Sequence, residues 1–233
     1  MTGRMIEFDA NGSPAPGYLA TPDAGVGPGV VVLHAWWGLT EPFRQACDRL
    51  AEAGFVALAP DLYRGQTTAK IEEAEALGSA LDREEARARG DIMGALRFLR
   101  QNDATSAADG SGTFALVGFS LGGAYALDMS ANLPKEVAAV VTFYAVYTGP
   151  DYRSAQAAYL CHFAEHDAFE PAESVAEMEQ ALREAGRPAT FYTYPGTEHW
   201  FVEANRPDVY NAAATALAWE RTIAFLNAQL RQS

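Results

Sequence analysis

The chain has 233 residues, of which 49% are hydrophobic and 20% charged, a balance typical of folded globular proteins rather than disordered or fibrous ones. That length predicts a single domain over residues 1–233 with a sizeable core. Seventeen basic against 30 acidic residues give a net charge of −13, which disfavours nucleic acid and anionic membrane surfaces as partners.

Short strand-like runs alternate with segments of helical period along the whole chain. The pair Asn11-Gly12 predicts an opening hairpin, and the prolines of its second strand predict an edge position. Further strands are predicted at residues 29–35, 55–59, 113–118, 137–144, 159–165 and 189–194. Helices are predicted at residues 42–53, at 71–81, at 92–99 as a continuation after Gly90, from residue 121 onward, at 175–182 and at 219–230. This alternation predicts an α/β fold with one doubly wound, mostly parallel sheet flanked by helices.

Residues 102–112 are small and polar, and we expect them to form a surface loop. Residues 1–22 lack an apolar signal-peptide core, and no apolar run approaches the roughly 18 residues that cross a bilayer. Cys47 and Cys161 are too few and too far apart for a disulfide framework or a thiolate metal site. We therefore expect a cytoplasmic protein without membrane contact and with reduced cysteines.

The sequence around Ser120 is a buried strand, the string Gly-x-Ser-x-Gly-Gly and a helix-forming segment. This context predicts a nucleophile elbow, in which Gly118 and Gly122 allow a strained turn that a Cβ atom would block. The Leu121 N–H, at the start of the helix, would then point at a developing oxyanion. The alternative is a tight turn that carries an inert serine.

A serine nucleophile needs a histidine base and a carboxylate that orients it, and in this architecture they follow in the order serine, acid, histidine. Asp167 and His199 satisfy that order, and each follows a predicted strand. Because carboxyl ends of parallel strands share one sheet edge, both should lie near Ser120.

Four other residues compete for these roles. His162 lies inside a strand and is expected to be a packed core histidine, whereas His166 precedes any suitable acid in chain order. Glu165 should still belong to its strand, and the side chain of Glu198 should diverge from the adjacent His199. We therefore predict Asp167 and His199.

The loop after the first long strand should supply the second oxyanion donor, for which we predict the backbone N–H of Trp36. His34, at the end of that strand, is expected to be a hydrogen-bonded structural histidine. Trp37 is either core filler or an apolar pocket wall, and Tyr144 is a further candidate for substrate contact.

Four strings together are similar to the dienelactone hydrolase family, a branch of the α/β-hydrolases without a cap domain. They are residues 34–39 with 59–63, the elbow at 118–123, the acid at 167, and residues 194–199 with 218–221. The resemblance covers nearly the whole chain and implies the α/β-hydrolase fold. Residues 146–158, where such folds insert a cap, are too few for a helical lid.

The chain departs from the family pattern at three positions. Ser120 replaces the cysteine nucleophile of the founding enzymes, and Ala35 replaces a glutamate that contacts that cysteine. Glu203 stands where the family implies an arginine that holds the substrate carboxylate. Arg64 and Arg206 are candidates to replace that arginine, but a loop arginine on an acidic surface is more often a solvated ion-pair partner.

These observations predict a serine hydrolase that cleaves small-molecule carboxylic esters or lactones through an acyl-enzyme. No cofactor and no metal are implied, because the elbow is not a phosphate-binding loop and no cluster has metal-ligand spacing. We expect a monomer or weak homodimer. A non-catalytic binding protein on a hydrolase scaffold and an amide or peptide hydrolase remain as alternatives.

Overall fold

The computed structural model describes residues 3–105 and 112–231, so residues 106–111 of the predicted polar loop lie outside it. The chain forms two compact units, residues 1–114 and 115–233. The described residues contain eight strands and six helices. The expectation of a single domain over residues 1–233 stays a prediction.

The first unit contains four strands and three helices. They are β1 (Arg4–Ala10), β2 (Ser13–Ala20), β3 (Gly29–Leu33), α1 (Glu41–Glu52), β4 (Val56–Pro60), α2 (Ile71–Arg83) and α3 (Glu85–Gln101). The strand order is β1-β2-β4-β3, with β2 antiparallel to both neighbours and β3 parallel to β4. Every residue of β3 and β4 is buried, in keeping with their continuous apolar sequence.

The opening hairpin is confirmed, but its second strand is not at an edge as predicted. Asn11 and Gly12 both have positive φ, 56° and 83°, which is the geometry of a tight two-residue hairpin turn. Pro14 and Pro16 pair with β1, and residues 17–20 also pair with β4. On the β4 side Pro16 contributes only its carbonyl, which accepts the N–H of Asp61 at 2.9 Å, so the missing N–H of the prolines breaks no pairing there.

The break between α2 and α3 lies at Glu84, not at Gly90 as predicted. Gly90 is inside α3, where an added Cβ would lie 2.8 Å from the side-chain nitrogen of Asn11. At Gly94 an added Cβ would lie 2.8 Å from the carbonyl oxygen of Asp9. Both glycines thus allow α3 to approach the hairpin closely, which periodicity alone does not reveal.

The described residues of the second unit form four strands and three helices, and the first of these strands begins at Phe114, the last residue of the first unit. They are β5 (Phe114–Phe119), α4 (Leu121–Asn132), β6 (Val137–Phe143), β7 (Ala158–His166), α5 (Ala172–Glu184), β8 (Ala189–Glu198) and α6 (Ala212–Leu230). The strand order is β5-β6-β7-β8, and β7 is parallel to both β6 and β8. Strand β8 runs four residues beyond the predicted end. The connection from β6 to β7 contains no helix, as expected without a cap.

Each strand of the second unit is followed directly by a residue singled out from the sequence. Ser120 follows β5, Tyr144 follows β6, Asp167 follows β7 and His199 follows β8. Because β6, β7 and β8 are parallel, Tyr144, Asp167 and His199 lie at one edge. The backbone N–H of Ser120 donates to the carbonyl of Phe143 at 3.0 Å, which ties the end of β5 to that edge.

Candidate active site

Ser120 occupies a strained turn between β5 and α4. Its φ of 49° and ψ of −118° lie in a region that non-glycine residues rarely adopt. A Cβ on Gly118 would lie 2.4 Å from the carbonyl oxygen of Gly122, and one on Gly123 would lie 2.4 Å from the Cβ of Ala145. The turn therefore needs glycine at both positions. The sequence pattern had identified the requirement at Gly118 but not the close approach at Gly123.

His199 connects Ser120 to Asp167. Its Nε2 lies 3.1 Å from the Ser120 Oγ, and its Nδ1 lies 2.8 Å from both carboxylate oxygens of Asp167. A carboxylate only accepts hydrogen bonds, so Nδ1 carries the hydrogen and Nε2 is left to accept the serine hydroxyl. The arrangement can therefore deprotonate the serine and hold the resulting imidazolium against a negative charge.

The carboxylate of Asp167 is fixed by the backbone of its own loop. Its Oδ1 accepts the N–H of Phe169 at 2.9 Å and that of Glu170 at 3.0 Å. The side chains of Asp167 and His199 are each only 3% exposed. A buried carboxylate with these donors is held in one orientation, as the orienting member of such a triad must be.

Tyr144 and Glu203 form a second buried polar pair beside His199. The Tyr144 hydroxyl donates to Glu203 Oε1 at 2.6 Å, and its ring centroid lies 4.7 Å from that of His199. Burial first, and then the negative charge of Glu203, raise the pKa of the Tyr144 hydroxyl well above its usual value. The sequence indicated Glu203 only as a departure from a family pattern, and nothing local in the sequence pairs it with Tyr144.

Aromatic side chains cover other sides of the imidazole. The ring centroids of Phe169 and Trp200 lie 4.8 Å and 4.9 Å from that of His199, and Phe169 is 42% exposed. The guanidinium of Arg206 lies 4.5 Å over the Trp200 ring and 3.3 Å from Asp208. Arg206 is thus engaged in a stacked contact and an ion pair, as expected for a loop arginine on an acidic surface.

The rival histidines are placed as predicted, apart from the secondary structure at His166. His162 is fully buried, and its two ring nitrogens lie 2.8 Å from the Tyr194 hydroxyl and 3.0 Å from the Thr222 hydroxyl. His166 is the exposed last residue of β7 rather than a loop residue, and it lies 3.4 Å from Glu165. Among the described residues, neither of these two histidines contacts Ser120.

The first unit contains the remaining candidates. His34 is buried there and its Nε2 accepts the N–H of Leu62 at 3.2 Å, as expected for a structural histidine. The rings of Trp36 and Trp37 are stacked at 6.2 Å, and Trp37 is fully buried. Arg64 pairs with Asp91 at 2.6 Å, and a second nitrogen bonds the Pro14 carbonyl. The oxyanion role of the Trp36 and Leu121 amides stays a prediction.

Within residues 3–105 and 112–231, no helix combines the length and apolar character needed to cross a membrane. The same ranges hold no group of three or more histidine, cysteine, aspartate or glutamate side chains arranged to bind a metal ion.

Comparison with known proteins decides the family. The family model described as "Dienelactone hydrolase family" matches residues 15–230. The chain belongs to the dienelactone hydrolase family. This confirms the resemblance, the predicted α/β-hydrolase fold and the predicted class of enzyme, a dienelactone-hydrolase-like ester hydrolase.

Individual relatives match over almost the full chain. "Protein usf" of Aquifex pyrophilus is 32% identical, over 98% of this chain and 99% of that protein. A "putative carboxymethylenebutenolidase" of Aquifex aeolicus is 30% identical, over 98% of this chain and all of that protein. The solved structure of a putative dienelactone hydrolase from Klebsiella pneumoniae has a TM-score of 0.83 and 25% identity, over 99% and 98% of the two chains.

Proposed function

We propose that the protein is a serine hydrolase that cleaves carboxylic esters or lactones through an acyl-enzyme. The observation that carries the proposal is the continuous chain of contacts from the Ser120 Oγ through His199 to Asp167, with separations of 3.1 Å and 2.8 Å. Those three residues are distant in sequence and lie within hydrogen-bond distance at the ends of three strands. Family membership supports the same class of reaction.

In the first half of the reaction, the Ser120 Oγ attacks the substrate carbonyl while Nε2 of His199 takes the hydroxyl proton. Asp167 holds the Nδ1–H tautomer and stabilises the imidazolium. The carbonyl oxygen becomes an oxyanion, for which we assign the Leu121 N–H at the start of α4 and the Trp36 N–H as donors. Collapse of this intermediate breaks the bond to the alcohol, which receives its proton from His199.

In the second half, a water molecule replaces the alcohol. His199 takes one proton from that water as its oxygen attacks the acyl carbon of the ester on Ser120. The second tetrahedral intermediate releases the carboxylic acid, and the proton returns to the Ser120 Oγ. When the substrate is a lactone, the alcohol and the acid are parts of one product molecule.

The substrate is proposed to be a small molecule, and the protein is proposed to act in the cytoplasm as a monomer or weak homodimer. One relative is named a putative carboxymethylenebutenolidase, so lactones belong among the candidate substrates. The connection between β6 and β7 carries no helical lid, which supports small or exposed esters.

Turnover of p-nitrophenyl esters of increasing acyl length, simple lactones and dienelactone tests the proposal. We expect Ser120→Ala to lower kcat/KM by at least about 10³-fold. We expect a similar factor for Asp167→Asn, because the amide no longer holds His199 in the tautomer with its hydrogen on Nδ1. Ser154→Ala is the matched control, because it removes an exposed hydroxyl that donates to the backbone carbonyls of Ala131 and Asp151. A Ser120→Ala variant that keeps more than a tenth of the activity would contradict the mechanism.

A second measurement separates the proposal from the alternatives. Paraoxon should transfer its diethylphosphoryl group to Ser120, with release of p-nitrophenol, and the modified peptide is identified by mass spectrometry. A protein that is neither labelled nor active, but holds an ester unchanged, would be a binding protein. Faster turnover of amides than of matched esters would indicate an amidase.

A further inference from the structure

Tyr144 has a backbone conformation that bulky residues rarely adopt. Its φ is 42°, and its side chain is fully buried directly after β6. The N–H of Tyr144 donates to the carbonyl of His162 at 2.7 Å, and the preceding carbonyl of Phe143 accepts the N–H of Ser120. Such conformations persist where the surrounding structure holds them, and they concentrate at functional sites.

The strained backbone aims the Tyr144 ring at His199. The two ring centroids are 4.7 Å apart with planes inclined by 55°, and Phe201 lies 5.9 Å from Tyr144 on another side. The tyrosine ring therefore contacts the imidazole directly. The position of the Tyr144 ring is set by the group that binds its hydroxyl.

The hydroxyl of Tyr144 is held by the carboxylate of Glu203. The O···O separation of 2.6 Å is in the range of hydrogen bonds that are strengthened by an ionised acceptor. Glu203 is only 1% exposed, and its N–H donates to the carbonyl of Trp200 at 2.9 Å. It therefore belongs to the same turn as His199, so the bond joins the end of β6 to the loop that carries the base.

We propose that Tyr144 and Glu203 are a positioning pair that holds the imidazole of His199 in line between Ser120 and Asp167. The inference rests on the proposed function. The hydrogen bonds to Ser120 and Asp167 fix the nitrogens of the ring, but they do not by themselves fix its tilt about the line between those nitrogens. The Tyr144 ring restrains that tilt together with the Phe169 and Trp200 rings on other sides, and the bond to Glu203 fixes the Tyr144 ring.

Turnover is sensitive to this tilt because the proton moves from Ser120 to Nε2 and then to the leaving alcohol. A misplacement of about 1 Å can lower a catalysed rate by 10²-fold. Substrate binding does not require the same alignment, so a loosened imidazole should lower kcat with little change in KM. A pair that merely stabilises the fold would change neither.

Tyr144→Phe is the decisive variant, because it keeps the ring and removes only the hydroxyl. We expect kcat to fall by about 10- to 100-fold with KM within about threefold of wild type. Glu203→Gln keeps an oxygen that can accept the Tyr144 hydroxyl and should retain kcat within about threefold, whereas Glu203→Leu should match Tyr144→Phe. Tyr144→Phe combined with Glu203→Leu should be no slower than either alone, since both remove one bond.

Tyr18→Phe is the matched control. The Tyr18 hydroxyl bonds Asp48 at 3.0 Å and 3.1 Å in the unit of residues 1–114, so its loss also removes a tyrosine–carboxylate hydrogen bond. We expect a lower Tm and an unchanged kcat. If Tyr144→Phe behaves in the same way, or if Glu203→Gln is as slow as Glu203→Leu, the positioning role is wrong.

The same assays distinguish this failure from failure of the proposed function. If the wild-type protein hydrolyses esters and Tyr144→Phe leaves kcat unchanged, only the positioning role of Tyr144 and Glu203 is overturned. A folded wild-type protein that neither turns over an ester nor reacts with paraoxon at Ser120 overturns both proposals.

Discussion

Glu170 offers a test of the electrostatics around the candidate site. Its N–H donates to the Asp167 carboxylate, while its own carboxyl group is half-buried and accepts a backbone hydrogen bond from Val146. The pKa of the Glu170 carboxyl is raised to about 8, mainly by burial; the hydrogen bond from Val146 opposes this rise, and the nearby charge of Asp167 adds to it. We therefore expect Glu170 to be mostly protonated in the folded protein at pH 7.

The sign of the effect on stability follows from the two pKa values. In the unfolded chain the carboxyl ionises with its ordinary pKa of 4.5, and in the folded chain the pKa is about 8. Its contribution to stability is fully present below pH 4.5 and is lost as the pH rises to about 8. Each pKa unit is worth about 1.4 kcal/mol, and partial exposure lowers the total, so the loss between pH 4.5 and 7 is about 2–3 kcal/mol.

Glu170→Gln removes this titration and keeps a polar side chain of the same shape. In urea unfolding at pH 4.5, 6, 7 and 8.5, the free energy of unfolding of the variant should rise relative to that of the wild type by about 2–3 kcal/mol between pH 4.5 and 7. Glu173→Gln, at an exposed position in the first turn of α5, should show a far smaller change. A difference between Glu170→Gln and wild type that is the same at every pH would refute the reasoning.

Three further predictions test other features. Gly118→Ala should lower the free energy of unfolding by about 3 kcal/mol or more in urea unfolding, because its Cβ would meet backbone that cannot rotate away. Burial lowers the pKa of His162 to about 3, so the contribution of this histidine to stability should fall by about 2 kcal/mol from pH 6.5 to 4.5, and His162→Gln should gain about that much relative to wild type over the same range in urea unfolding. The buried charge of Glu203 should repel a substrate carboxylate, so p-nitrophenyl hydrogen succinate should be about tenfold poorer than p-nitrophenyl butyrate in kcat/KM. Glu203→Gln should narrow that gap, and an anionic ester that is preferred by the wild type would contradict this.

The parts of the site that the sequence predicted depend on local signals. The elbow at Ser120 is encoded within a few residues, because the glycines that the turn requires lie beside the serine. Asp167 and His199 follow from chain order and from their positions directly after strands. Residues 29–35 and 55–59 were identified as strands because continuous apolar runs of that length are typical of strands covered on both faces.

The features that the sequence missed depend on contacts between distant segments. The edge assigned to β2 was wrong because pairing with β4 is decided by tertiary packing, and the prolines only restrict which half of the strand takes part. Gly90 was predicted to be a helix boundary because the residue that approaches it closely and excludes a side chain there, Asn11, lies some eighty positions away in sequence. Composition and periodicity do not reveal such contacts.

The carboxyl groups beside His199 show how far residue type alone falls short of predicting chemistry. Asp167 accepts two backbone N–H groups as well as the imidazole, so its charge is met by three donors. Glu203 accepts the Tyr144 hydroxyl, and the pKa of that hydroxyl is raised first by burial and then by the negative charges of Glu203 and Asp167. Glu170, with one backbone donor and partial burial, is instead expected to keep its proton. Acids of the same two types thus differ here in their partners and burial, and we expect the negative charge near His199 to disfavour a substrate that carries its own carboxylate.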